Sequence, residues 1–101
     1  VVGMGSMFRL ATNFNQDLSK WNTGNVKYMD AMFHTAAAFT GDGVSEWNVE
    51  SVAEMAYIFY GATAFNADLS KWNTRNVKNM RSMFDGAVSF DKKNAPLYDF
   101  N

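Results

Sequence analysis

The 101 residues carry 9 Lys and Arg against 10 Asp and Glu, with 48% apolar and 16% aromatic residues and no cysteine. That suffices for one domain with a real core and argues against disorder. The net charge of −1 supplies no field to gather nucleic acid or an anionic membrane, disulfides and cysteine–zinc sites are excluded, and no apolar run approaches the ~18 residues of a membrane span.

In chain order, one motif is written four times. Val1, Val26, Val52 and Val77 head the units, and the same spacing recurs at Met4, Met29, Met55 and Met80, at Phe8, Phe33, Phe59 and Phe84, and at Phe14, Phe39, Phe65 and Phe90. Trp21, Trp47 and Trp72 form a further column, and of all the Met, Phe and Trp residues only Phe100 stands outside the pattern. A period in this range predicts stacked coils, each burying its apolar side on its neighbours. The coils are 1–25, 26–51, 52–76 and 77–101, with 91–101 as an atypical C-terminal cap in which Pro96 and Tyr98 break the motif. The chain starts at Val1, in register with the repeat, so a fragment or mature part of a longer protein is expected. Flanking repeats or a partner subunit should then cover the first coil.

Within each coil, Val26, Met29, Met32, Phe33 and Ala36 serve as the example. Their offsets fit one helical stripe, and Asn25, Ser51 and Asn76 stand where N-caps belong. The other half of the coil, Phe14 to Thr23 and Phe65 to Thr74, reads as a short extended segment with Leu18 and Trp21, or Leu69 and Trp72, pointing inward. The expected fold is therefore α/β: a solenoid of four strand–helix coils with a short parallel sheet. Between Phe39 and Trp47 the count runs one residue longer, and Gly41 and Gly43 can absorb it.

The strings Asn-Val-x-x-Met, Met-Phe and Phe-Asn-x-Asp-Leu-Ser-x-Trp-Asn, repeated over residues 1 to about 91, resemble the bacterial surface protein 26-residue repeat, a family allied to the BspA-like leucine-rich repeats. The departures are Ile58 in a Met column, Thr40 for Asn, and the tail from Asp91. The resemblance implies a leucine-rich-repeat-like right-handed solenoid. It also implies surface proteins of bacteria and mycoplasmas, with expanded sets in protists and microalgae, and a role in adhesion or protein binding. Localisation is then cell surface or secreted, with an organelle complex as the alternative.

Candidate chemistry is sparse. The Met columns could suggest Cu(I), but Ile58 replaces one member without disturbing the pattern, as a core filler would. Asp17, Asp42 and Asp68 could face a hard cation; capping each bend is the simpler role. Asn22, Asn48 and Asn73 are read as satisfying backbone groups at the bend. With one histidine, no cysteine, no phosphate loop and no nucleophile motif, no enzyme activity, metal or cofactor is expected. A flat Thr face for ice is interrupted, because Val49 separates Thr23 from Thr74.

Two sets of residues break the period and are where a partner would be read. Tyr57 replaces Ser6, Ala31 and Ser82 in its column, Tyr60 and His34 share a column with Arg9 and Asp85, and Tyr28 lies one coil earlier. Tyr28, His34, Tyr57 and Tyr60 form the candidate protein-binding patch, because tyrosine offers a rigid ring and a hydroxyl at low entropic cost. Lys20, Glu46 and Lys71 share one position, and Glu50 and Arg75 another, forming a charge stripe that sets stacking register first and recruits a partner second. The function expected is a non-catalytic protein-interaction or adhesion module. The alternative is a structural accessory subunit of a larger complex, including a membrane-bound one in an alga.

Overall fold

The computed structural model describes residues 2–96, so Val1, Leu97, Tyr98 and Phe100 lie outside the described residues. The repeat is built almost wholly from turns. Met32 N–H donates to the Met29 carbonyl, His34 to Ala31, Ala36 to Phe33 and Phe39 to Ala36, each closing a turn three residues back. Between these, alternate amides leave the coil: Met29, Ala31, Phe33 and Thr35 donate to the carbonyls of Glu54, Ala56, Ile58 and Tyr60 in the next coil, at 2.6–2.9 Å. The same pattern joins the first coil to the second, through Met4, Ser6, Phe8 and Leu10, and the third to the fourth, through Met55, Tyr57, Phe59 and Gly61.

The α/β strand–helix assignment is therefore wrong. Among the described residues there is no α-helix and no β-strand; the regular elements are two 3-10 turns, η1 (Val44–Glu46) and η2 (Lys92–Asn94). The physical reason lies in two columns of left-handed residues. Ser6, Ala31, Tyr57 and Ser82 have φ between 52° and 62°, and Leu10, Thr35, Gly61 and Gly86 between 59° and 79°. An α-helix needs φ near about −63° throughout, so a left-handed residue every fourth position forbids one. A positive φ at the third residue of a turn is the mark of type II geometry, which the Met29–Met32 and Phe33–Ala36 turns both show.

The parallel sheet is likewise replaced by single bridges linking Gly3, Tyr28, Glu54 and Asn79 in succession. These lie just before the Met column, not in the Leu18–Trp21 segment. The expected N-caps have a different task. Ser51 Oγ donates to the Gly24 carbonyl at 2.8 Å and Asn76 Nδ2 to the Glu50 carbonyl at 2.7 Å, tying each coil to the one before.

The apolar columns form one continuous core. Phe33 and Phe59 are fully buried, and the column Phe8, Phe33, Phe59, Phe84 stacks at centroid distances of 5.4, 5.6 and 5.8 Å with rings within 8° of parallel. A second column, Phe14, Phe39, Phe65, Phe90, runs beside it, and within each coil the two rings lie 3.8–4.4 Å apart. Trp47 and Trp72 each bury an indole N–H by donating to the carbonyls of Leu18 and Val44 of the preceding coil, both at 2.9 Å. Ile58 is as buried as Met32 in the same column, whereas Met7, in the first coil, is exposed.

In the longer bend η1 follows two left-handed glycines, Gly41 (φ 103°) and Gly43 (φ 93°), the second of which is its N-cap.

Candidate functional site

The polar columns at the bends are structural. Asn22, Asn48 and Asn73 accept through Oδ1 from the backbone N–H of Gly24, Glu50 and Arg75 at 2.9–3.2 Å. Asp17 and Asp68 do the same for Ser19 and Ser70 at 2.9 Å. Asp42 instead accepts from the Thr40 hydroxyl at 3.3 Å. Among the described residues no cluster of His, Asp and Glu could hold a metal ion.

Two of these carboxylates are held below their ordinary pKa of 3.8: Asp17 chiefly by the Ser19 backbone N–H, Asp68 chiefly by the Ser70 side chain with its backbone N–H second. With the folded pKa depressed, the unfolded chain takes up the proton first. The contribution is complete above the unfolded value and is lost as pH falls through the folded one. The melting temperature of the wild-type chain should therefore fall as pH drops below roughly 4, and the D17N/D68N variant should lose less over that interval. Thermal melts at stepped pH check this; equal losses in both proteins would refute it.

The charge stripe is only partly assembled. Arg75 and Glu50 pair at 3.8 Å, both well exposed, whereas Lys20, Glu46 and Lys71 form no ion pair among the described residues. The exposed Glu50–Arg75 pair contributes well under about 1 kcal/mol.

The aromatic exceptions converge. His34 and Tyr60 occupy one column on adjacent coils, and their rings stack at 4.7 Å and 23°. Tyr57 packs edge-on to Tyr60 at 5.8 Å and 66° and lies 6.4 Å from His34. The backbone fixes both tyrosines: Tyr57 N–H donates to the Arg81 carbonyl, Tyr60 N–H to that of Tyr57, and the Tyr60 carbonyl accepts from Thr35. Thr35 Oγ1 is also hydrogen-bonded to His34 Nδ1 at 2.9 Å, a contact not anticipated from the pattern of columns. The only sequence signal for it was adjacency. Tyr28 is exposed at the bridge between Gly3 and Glu54, and no ring contact joins it to the other three.

Tyr57 is the unusual member. Its φ of 62° places a bulky side chain in the left-handed region, where its column otherwise has Ser6, Ala31 and Ser82. Such a conformation costs about 1–2 kcal/mol for a residue with a Cβ. The cluster thus offers solvent two exposed phenol rings, a stacked imidazole and two hydroxyl groups on a rigid backbone. That chemistry suits apolar and hydrogen-bonded contact with another protein surface.

No curated protein and no solved structure matches the chain. A family model matches residues 2–101, and on that coverage the chain belongs to the family described as Mycoplasma protein of unknown function, DUF285.

Proposed function

We propose that the chain is a non-catalytic protein-interaction or adhesion module that engages its partner through His34, Tyr57 and Tyr60. The observation that carries this reading is the exposed ring cluster, with His34 stacked on Tyr60 at 4.7 Å and Tyr57 edge-on to Tyr60 at 5.8 Å. The left-handed backbone is common to Ser6, Ala31 and Ser82, so what sets position 57 apart is its exposed ring, which nothing in the core requires. The resemblance to bacterial surface 26-residue repeats supports the same reading and favours a cell-surface setting.

Replacing Tyr57 and Tyr60 with Ser removes the rings and exchanges one strained side chain for the residue found at positions 6 and 82. The lost ring contacts, about 0.5–1.5 kcal/mol each, should lower the melting temperature by about 5–15 °C and leave the chain folded at room temperature. Surface-immobilised wild-type chain should retain a protein from the source cells that the Y57S/Y60S variant releases. Equal retention by both would refute the patch.

A second reading, a structural subunit of a larger assembly, is favoured by one observation. Val2, Met7 and Leu10 in the first coil are 50%, 46% and 53% exposed, an apolar edge suited to burial against a neighbour.

A further inference from the structure

Two neighbouring columns on the side of the stack are complementary to their own reversal. Leu10, Thr35 and Gly61 N–H donate to the carbonyls of His34, Tyr60 and Asp85 at 2.6–2.8 Å, so Arg9, His34, Tyr60 and Asp85 follow one another at one coil per step. Ser6, Ala31 and Tyr57 N–H donate to the carbonyls of Asp30, Ala56 and Arg81 at 2.9 Å, which holds the column Ser6, Ala31, Tyr57, Ser82 in the same register. Tyr57 and Tyr60 are exposed although a coil is bonded to theirs on either side. Both columns therefore belong to the side wall of the stack and not to its ends.

Along the first column the order is cation, imidazole, phenol, carboxylate. Laid against a reversed copy of itself, it sets Arg9 opposite Asp85 and His34 opposite Tyr60, each twice. Arg9 and Asp85 are both exposed and form no ion pair among the described residues. The second column, reversed in the same way, sets Tyr57 opposite Ala31 and Ser6 opposite Ser82. The one large side chain of that column thus meets a position carrying only a methyl group. His34 and Tyr60 already stack within the chain at 4.7 Å, so reversal brings together a pair of rings that pack well.

We propose that the partner of the aromatic cluster is a second copy of this chain, docked side wall to side wall with its coils in the opposite order. The two-fold axis runs along the coil direction, between the second and third coils. This names the partner for the surface of His34, Tyr57 and Tyr60, and it rests on the reading of those residues as a contact surface. Arg9 of each copy meets Asp85 of the other, the His34 and Tyr60 rings of both copies join in one cluster, and each Tyr57 seats over Ala31 of the other copy. The occupant is a second copy because charge sign, ring type and side-chain size are all matched by the wall's own reversal. An aromatic centre with charged groups at the rim is also how protein interfaces are composed. Such an interface is isologous and closes on itself, so assembly stops at the dimer.

Sedimentation equilibrium of the 101-residue chain over a range of concentrations tests it. The wild-type protein should pass from the 11.3 kDa monomer to a species of twice that mass and no larger. R9E and D85R should each weaken the dimer about tenfold, because each reversal places like charges at both rims of the interface. R9E/D85R in one chain exchanges the signs and should restore it, and Y57S/Y60S should abolish it within the same range. The proposal is overturned by a wild-type chain that stays monomeric, by growth beyond the dimer, by association that the single reversals leave unchanged, or by a double reversal as weak as either alone. A monomeric wild-type chain that still retains a cell protein through Tyr57 and Tyr60 overturns the dimer while leaving the interaction surface standing. Circular dichroism of each variant confirms that a weakened one is still folded.

Discussion

Phe59→Ala is expected to lower stability by about 3–5 kcal/mol, measured as a shift of the denaturant midpoint with unchanged slope. Phe59 is fully buried and its ring sits 3.8 Å from Phe65, 5.6 Å from Phe33, 5.8 Å from Phe84 and 6.2 Å from Trp72. Removing it deletes the apolar burial of the ring and leaves a cavity that cannot collapse easily. Its walls are the neighbouring coils, whose spacing is fixed by backbone hydrogen bonds such as Phe33 N–H to the Ile58 carbonyl at 2.8 Å. Phe84→Ala, in the last coil where the ring is half-buried, should cost clearly less. Equal losses at the two positions would mean that the column is not a continuous core.

Gly43→Ala should be the most damaging single-methyl addition. Gly43 adopts φ 93°, and a Cβ there would lie 2.6 Å from Asp17 Oδ1 and 2.8 Å from the Leu18 carbonyl carbon, with the Ser19 backbone nitrogen closer still. The unfavourable backbone costs about 1–3 kcal/mol and the forced displacement of the preceding coil about 1–3 more. Backbone cannot swing aside as a flexible side chain can, so the bend would be pushed off Leu18 and the Asp17–Ser19 bond with it. A control is Gly3→Ala, whose added Cβ meets nothing within 4 Å. Thermal melts of both variants decide the matter, and a Gly43→Ala protein as stable as Gly3→Ala would contradict this account of the bend.

The core was legible in the columns. Val26, Met29, Met32, Phe33 and Ala36 are all fully buried, as their recurrence implied, yet the helix inferred from their offsets is absent. Offsets that fit one face of a helix also fit a string of turns whose alternate amides point to the next coil. The discriminating residues, Ala31 and Thr35, carry no compositional mark of a left-handed conformation. A signal was nevertheless present: Gly61 and Gly86 stand in the Thr35 column, within the stretch read as helix, where glycine is unfavourable by roughly 1 kcal/mol. Periodicity outweighed that hint.

The candidate site was legible where it depended on column identity. His34 and Tyr60 share a column, so stacking of coils brings their rings together, and Glu50 and Arg75 pair for the same reason. Tyr28 stands in a different column, with Gly3, Glu54 and Asn79, so stacking of the coils does not bring its ring to the other three. Lys20, Glu46 and Lys71 share a column and form no ion pair among the described residues, although Glu50 and Arg75, which also project from turns, do.

The central claim is that these coils are turns bonded to one another and not helices bonded within themselves. Scalar couplings measured by NMR across individual hydrogen bonds test it most directly. The Phe33 amide nitrogen should couple to the Ile58 carbonyl carbon, in the next coil, and the Tyr57 nitrogen to that of Arg81. Coupling of Phe33 to the carbonyl of Met29, four residues back in the same coil, would show a helix and contradict the account.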